Sequence, residues 1–243
     1  MSSVKPYNDE GESKKSEVRT MFNTIAPRYD FLNHFLSLGI DKLWRKRAIK
    51  TLKDIAPKHI IDVATGTGDF AIKAHQMLGC NVTGTDLSVG MLEVAKQKVA
   101  DLGLAEKIDL AEADSEQLPF EDNTFDAVTV AFGVRNYENL DKGLAEMARV
   151  IKPGGRMVIL EFSKPQTFPF KQIYMFYFKH ILPHLGGFVS HDKKAYEYLP
   201  QSVLAFPDGE EFESHMKQVG IEPKERKSQT FGIATIYVGE KLK

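Results

Sequence analysis

Apolar residues change their spacing along the chain. Between residues 18 and 55 they recur at helical intervals, first as Phe31, Leu32, Phe35 and Leu36 and then as Leu43, Trp44, Ile49 and Leu52. Pro27 and Gly39 interrupt the stripe, so two or three helices are predicted. From residue 59 the texture becomes short apolar runs at 59–64, 81–85, 108–111, 125–131 and 155–161, separated by helical stretches. Strand and helix in alternation predict βαβ units and a parallel sheet. An aromatic helical insertion follows over 168–206, and two closing runs, 221–226 and 230–238, flank a Lys-Ser-Gln turn as a hairpin. The expected architecture is a doubly wound α/β domain with a mostly parallel seven-stranded sheet and a C-terminal antiparallel hairpin. Its expected parts are a disordered tail over 1–17 and one domain over 18–243, with N-terminal helices at 18–56 and a helical lid at 168–206. No internal repeat or low-complexity stretch is found.

Composition narrows the partners. With 32 basic and 33 acidic residues the formal net charge is −1, so no global field recruits nucleic acid or an anionic membrane. The basic residues Lys42, Arg45, Lys46, Arg47, Lys50 and Lys53 lie opposite Leu43, Trp44 and Leu52 and are expected to be the solvated face of a helix. The single cysteine, Cys80, forms no internal disulfide, which fits a reducing cytoplasm, and its apolar surroundings predict a buried, unreactive thiol. The polar N-terminal stretch lacks the apolar core of a secretory signal, and no window reaches about 18 uncharged apolar residues. The expected location is cytoplasmic, with membrane contact at most peripheral at the inner face.

The chemistry concentrates at strand ends. In Asp62-Val63-Ala64-Thr65-Gly66-Thr67-Gly68-Asp69 an apolar strand runs into a glycine turn and a helix start, the place where open α/β sheets bind nucleotides. Gly66 and Gly68 also satisfy the G-x-G-x-x-G/A dinucleotide pattern, so a nicotinamide- or flavin-dependent oxidoreductase is a rival. Asp62 and Asp69 argue against it: a pyrophosphate on that helix start would meet two carboxylates. A sulfonium nucleoside carries an ammonium and no phosphate, and tolerates both acids. Asp86 follows Gly68 by 18 positions at the end of the second strand, where an acid binds a ribose diol, and Asp114 ends the third strand as an acceptor for an adenine amino group.

Four further stretches carry a family resemblance. They are Tyr29-Asp30-Phe31-Leu32-Asn33 with Leu36-Ser37 and Trp44; Arg149-Val150-Ile151-Lys152-Pro153-Gly154-Gly155 with Glu161-Phe162-Ser163; Phe132-Gly133-Val134-Arg135-Asn136; and the pattern Asp192, Tyr196, Tyr198, Leu199, Ser202. Over residues 17–239 the chain resembles the ubiquinone/menaquinone biosynthesis C-methyltransferases, class I enzymes of Rossmann-like fold that use S-adenosylmethionine. The resemblance implies that Thr67, Asp86, Asp114 and Ser115 contact that cofactor. The chain departs from it at Ala131, where a serine is expected, and at Phe31, an apolar exchange without consequence.

The implied reaction is C-methylation of a prenylated quinol ring, demethylmenaquinol to menaquinol, with the ubiquinone-pathway methylation as alternative; a non-catalytic cofactor-binding module is a more distant rival. A ring carbon becomes nucleophilic when the neighbouring hydroxyl ionises, so a positive charge or base at that oxygen is required. Arg135, paired with Asn136, is the candidate for the charge, at the carboxyl end of the fourth strand. For the base Asp192, His191, Tyr29 and Tyr196 stay open, and no metal site is expected. In the insertion, Phe170, Tyr174, Tyr177, Phe178 and Ile181 form a helical stripe beside Lys171 and Lys179, either a surface for the prenyl tail and lipid or the core face of a lid. The oligomeric state stays open, a homodimer included.

Overall fold

A computed structural model of the protein describes residues 4–37, 39–176 and 193–242. Seven strands form one sheet in the order β3-β2-β1-β4-β5-β7-β6. The strands are β1 (His59–Val63), β2 (Asn81–Asp86), β3 (Ile108–Glu112), β4 (Phe125–Ala131), β5 (Ile151–Phe162), β6 (Ile221–Gln229) and β7 (Ala234–Lys241). Strands β1 to β5 are parallel, while β7 runs antiparallel to both β5 and β6, with Glu161 opposite Thr235 and Ser228 opposite Thr235. Chain order reverses between β1 and β4, and the crevice outside their carboxyl ends is where an open α/β sheet takes its ligand.

Helices α1 (Lys14–Ile25), α2 (Tyr29–Leu36) and α3 (Ile40–Lys50) precede the sheet, and α4 (Asp69–Leu78), α5 (Val89–Asp101) and α6 (Leu140–Val150) connect its strands. Beyond β5 come α7 (Phe170–Phe176), α8 (Lys193–Ala205) and α9 (Glu210–Gln218). Successive β1 residues face opposite sides, which divides the core. Ile60 packs with Trp44, Ile49, Leu52 and Phe70 on one face, and Ile61 with Leu144, Met147, Phe212 and Tyr237 on the other. A third cluster, with Val18, Met21, Ile25, Met91, Tyr174 and Tyr198, roofs the carboxyl ends of the strands using α1, α5, α7 and α8.

Four sequence expectations are corrected. The segment before residue 18 is held, not free: the buried Glu17 carboxylate accepts the backbone N–H groups of Tyr7, Asn8 and Asp9 at 2.6, 2.9 and 2.9 Å. Lys14 is buried as well and donates to the carbonyls of Arg135 and Tyr137 at 3.0 and 2.8 Å. Desolvation, with the Arg135 charge behind it, lowers its ammonium to about 8. The hairpin turn is at residues 230–232, a 3₁₀ turn with Phe231 at φ 58°, and Lys-Ser-Gln belongs to β6. Strand β5 starts at Ile151, and Gly154-Gly155 lie within it, Gly155 because a Cβ there would stand 2.7 Å from the Asp126 carbonyl. Finally, Arg45 leaves the solvated face of α3. It is 9% exposed, reaches Asp41 at 3.5 Å and lies 5.4 Å over the Phe132 ring.

Candidate active site

Two adjoining cavities open at the carboxyl ends of β1, β2 and β4. Gly66, Asp86, Leu87, Asp114, Ser115 and Asn136 line the first, with Lys15 and Arg19 of α1 on its outer side. The second, of about 270 Å³, lies between α1, α2, α3, α7 and α8, and Trp44, Arg135, Phe162, Tyr174 and Tyr198 are among its walls. Phe22, Tyr29 and Phe132 line both, so the cavities meet at three aromatic rings.

The first cavity is built by backbone turns at strand ends. After β1 the chain enters the left-handed region at Ala64 (φ 53°) and Gly66 (φ 58°), and a Cβ on Gly66 would meet no protein atom within 4 Å. Asp86 ties this turn to β2: its carboxylate accepts Gly66 N–H and Ser88 N–H, each at 2.8 Å. Burial raises its pKa, and those backbone donors pull the other way. The Asp114 carboxylate accepts Glu116 N–H at 2.9 Å and Lys15 Nζ at 2.7 Å. A carboxylate has about four acceptor positions, so Asp86 and Asp114 each keep room for ligand hydroxyl or amino groups.

This donor set suits a sulfonium nucleoside better than a dinucleotide. The Gly66 N–H, which a pyrophosphate would need, already goes to Asp86, and Asp69 occupies the first turn of α4, where Lys98 pairs with it. A pyrophosphate at this turn would face the Asp86 and Asp69 carboxylates and find the Gly66 N–H already taken.

The second cavity carries a buried ion pair. Arg135 Nη1 donates to Glu161 Oε1 at 3.0 Å and to the Phe132 carbonyl, and the two side chains are 7% and 0% exposed. The guanidinium lies 5.4 Å over the Phe162 ring, which stacks on Phe132 at 4.5 Å. Burial raises the Glu161 pKa against the pull of Arg135, and burial likewise raises Tyr29, so the Tyr29 phenol is a donor and not a base near neutrality. Phe132 itself has φ 60°, a second non-glycine left-handed residue at the meeting point.

Most of the expected residues converge. Gly66, Asp86, Asp114, Ser115, Asn136 and Tyr29 line the first cavity, and Arg135 with Tyr29 the second. Asp62, Thr67 and Gly68 stand behind the turn. The Asp62 carboxylate accepts Thr65 and Thr129 hydroxyls at 2.6 and 2.7 Å, and Thr67 donates to Asp30 at 2.5 Å. Gly68, at φ 81°, starts α4, where a Cβ would come within 3.2 Å of Ala95. Asp192, His191, Tyr177, Phe178, Lys179 and Ile181 fall outside the described residues, as does the Tyr196 side chain. Of the aromatic stripe, Tyr174 is buried in the second cavity, whereas Phe170 stacks on Phe231 at 3.8 Å. The residues missed from sequence are Phe22, Phe132 and Glu161 as the partner of Arg135. A glutamate at the end of an all-apolar buried strand, Val158-Ile159-Leu160-Glu161, was the available signal.

Comparison with known proteins places this geometry. Residues 10–241 match the model of the ubiE/COQ5 methyltransferase family. A demethylmenaquinone methyltransferase of Bacteroides fragilis is 51% identical over 98% of this chain and 97% of its own length. A ubiquinone/menaquinone biosynthesis C-methyltransferase of Geobacter sulfurreducens is 50% identical over 94% and 90%. Among solved structures, the [4+2]-cyclase SpnF superposes with a TM-score of 0.70 at 16% identity, covering 93% of this chain and 95% of that one. A SAM-dependent methyltransferase of Thermotoga maritima gives 0.65 at 18% identity over 92% and 99%. At those identities the structural likeness speaks for the fold alone.

Proposed function

Because the chain belongs to the ubiE/COQ5 methyltransferase family, we propose that it methylates a ring carbon of a prenylated quinol with S-adenosylmethionine, turning demethylmenaquinol into menaquinol. The observation that supports this best is the pair of cavities meeting at Phe22, Tyr29 and Phe132, one rimmed by strand-end carboxylates and the other apolar with a buried arginine.

Asp86 would hold the ribose hydroxyls of the cofactor, and Asp114 and Ser115 the adenine. Asp62, Thr67 and Gly68 act from behind, holding the turn in shape. When bound, the cofactor supplies an electrophilic methyl group. Phe22, Tyr29 and Phe132 fix the line between the two cavities and keep water from it, which matters because an in-line displacement gains most from orientation. The Arg135 guanidinium stabilises the negative charge of an ionised ring hydroxyl, and Asn136 sits beside it at the junction.

The tail needs an exit, and the described surface offers one. Phe168, Ile173 and Phe176 are 81%, 61% and 60% exposed around α7, whose Tyr174 reaches the cavity, and Phe231 is 63% exposed beside them. A shallow lipid contact here would leave the tail in the bilayer while the ring enters. No helix among the described residues is long and apolar enough to cross a membrane.

The test is methyl transfer from isotopically labelled S-adenosylmethionine, run anaerobically with reduced demethylmenaquinone and, in parallel, with the benzoquinol counterpart. Label in menaquinone is the expected result. Label only in the benzoquinone would move the assignment to the ubiquinone pathway, and label in neither would overturn it.

A further inference from the structure

Tyr198, on α8, buries a polar group for which the described residues supply no partner. Its side chain is 3% exposed and lines the second cavity, yet its hydroxyl makes no hydrogen bond among the described residues. A buried hydroxyl without a partner forfeits its hydration and gets nothing back, so native proteins contain few, and each calls for an explanation. A second orphan stands in the same cavity. Arg135 spends Nη1 on Glu161 and the Phe132 carbonyl, while its Nε–H is buried and unpartnered. The phenol is raised by burial, lowered by Arg135 and raised by Glu161, so it stands within electrostatic reach of the ion pair and stays protonated. Both orphans are therefore donors on the wall of one largely aromatic cavity, which the Arg45–Asp41 pair also lines. Two unpartnered donors on the walls of one cavity call for an acceptor oxygen from a ligand.

We propose that the Tyr198 hydroxyl and the Arg135 Nε–H together grip one ring oxygen of the acceptor, making Tyr198 a catalytic residue that lowers the pKa of that ring hydroxyl. This rests on the quinol assignment above. The acceptor hydroxyl loses its proton to solvent or to a base, and the oxyanion left behind takes hydrogen bonds from Tyr198 and Arg135. The ring carbon beside it then carries the nucleophilic electron pair. Tyr198 itself donates without giving up its proton, consistent with its raised pKa.

The experiment is Tyr198→Phe, which removes the hydroxyl and nothing else. Because that hydroxyl is unpartnered in the free protein, thermal stability and S-adenosylmethionine affinity should stay at wild-type levels, the latter within about twofold. Turnover of reduced demethylmenaquinone at neutral pH should fall about tenfold or more, and the acidic limb of the kcat/KM profile should move up by roughly one pH unit, since a donor to an anion has been lost. Binding of tail-less 1,4-naphthohydroquinone, measured anaerobically by calorimetry, should weaken by about tenfold. An unmoved acidic limb with unchanged naphthohydroquinone binding overturns the proposal. So does a parallel loss of melting temperature and cofactor affinity, which would mark a structural role. If wild type fails to methylate the quinol while the binding difference persists, the reaction assigned above is wrong and Tyr198 remains an acceptor-site donor.

Discussion

Asp62→Asn should make the protein more stable at neutral pH, by an amount that depends on pH. Asp62 is 1% exposed in an interior strand of the sheet, and desolvation pushes its carboxyl from the ordinary 3.8 up to about 6. A raised pKa means that the folded state binds the proton more tightly than the unfolded state. The associated stability is fully present below about pH 4, is lost as the pH rises through about 6, and stays lost above it. A shift from 3.8 to about 6 corresponds to about 3 kcal/mol. Asparagine is neutral throughout and nearly isosteric. Its carbonyl can accept from Thr65, and its amide can donate to Thr129, whose hydroxyl already reaches the Ile61 carbonyl at 3.5 Å. Urea denaturation of both proteins from pH 4 to pH 8 should therefore show the difference in unfolding free energy moving by about 3 kcal/mol in favour of the variant. A difference that stays flat within about 0.5 kcal/mol over that range would refute the desolvation account, and a variant destabilised equally at every pH would mean that the hydroxyl pair needs two acceptors.

Asp86→Ala should weaken S-adenosylmethionine binding by about 2 kcal/mol, close to thirtyfold in Kd by calorimetry; wild-type affinity would remove Asp86 from the site. Arg135→Ala leaves Glu161 buried without its cation and should cost about 3 kcal/mol of stability. Adding Glu161→Gln should restore most of the melting temperature while turnover stays at least roughly a hundredfold down, and recovery of turnover by the double variant would show that Arg135 acts only as a structural counter-ion. Phe168→Ser with Ile173→Ser should reduce partition onto anionic phospholipid vesicles by about tenfold, leaving turnover of a tail-less naphthoquinol unchanged; undiminished vesicle binding would take the lipid contact away from α7.

How far the fold could be read from the chain follows from burial. Strands β1, β4 and the second half of β5 are buried over most of their length and hold enough Ile, Val and Leu to be found, whereas β2, Asn-Val-Thr-Gly-Thr-Asp, is as buried but holds one such residue. Strand β6 was cut short at Arg226 because Lys227 and Ser228 are exposed at the sheet edge, where polar residues guard an open strand, and with Gln229 they read as a turn. The N-terminal segment read as disordered for a related reason. Glu17 and Lys14 look like solvated charges until their partners are known, and Lys14 binds carbonyls 121 and 123 positions away. Local pattern reports which residues prefer water; it does not report which charges a distant strand will satisfy.

The same limit shaped the site, and it bears on how the site handles charge. Asp86 and Asp114 were legible because a parallel sheet puts every strand end on one edge, so spacing along the chain converts into position in space. Arg135 was legible by the same rule, but its partner was not, since Glu161 sits 26 positions on and enters through the neighbouring strand. Glu161 changes what Arg135 can be. A lone guanidinium in the second cavity would add a permanent cation beside a cofactor that is itself a cation, and like charges in a low-dielectric cleft are costly. With Glu161 at 3.0 Å the pair is neutral overall, so it does not oppose the sulfonium, while the Nε–H is left without a partner among the described residues. A neutral quinol can then enter at little electrostatic cost, and the hydrogen bonds that hold its hydroxyl strengthen when that hydroxyl ionises, so that part of the binding energy is spent on the reaction.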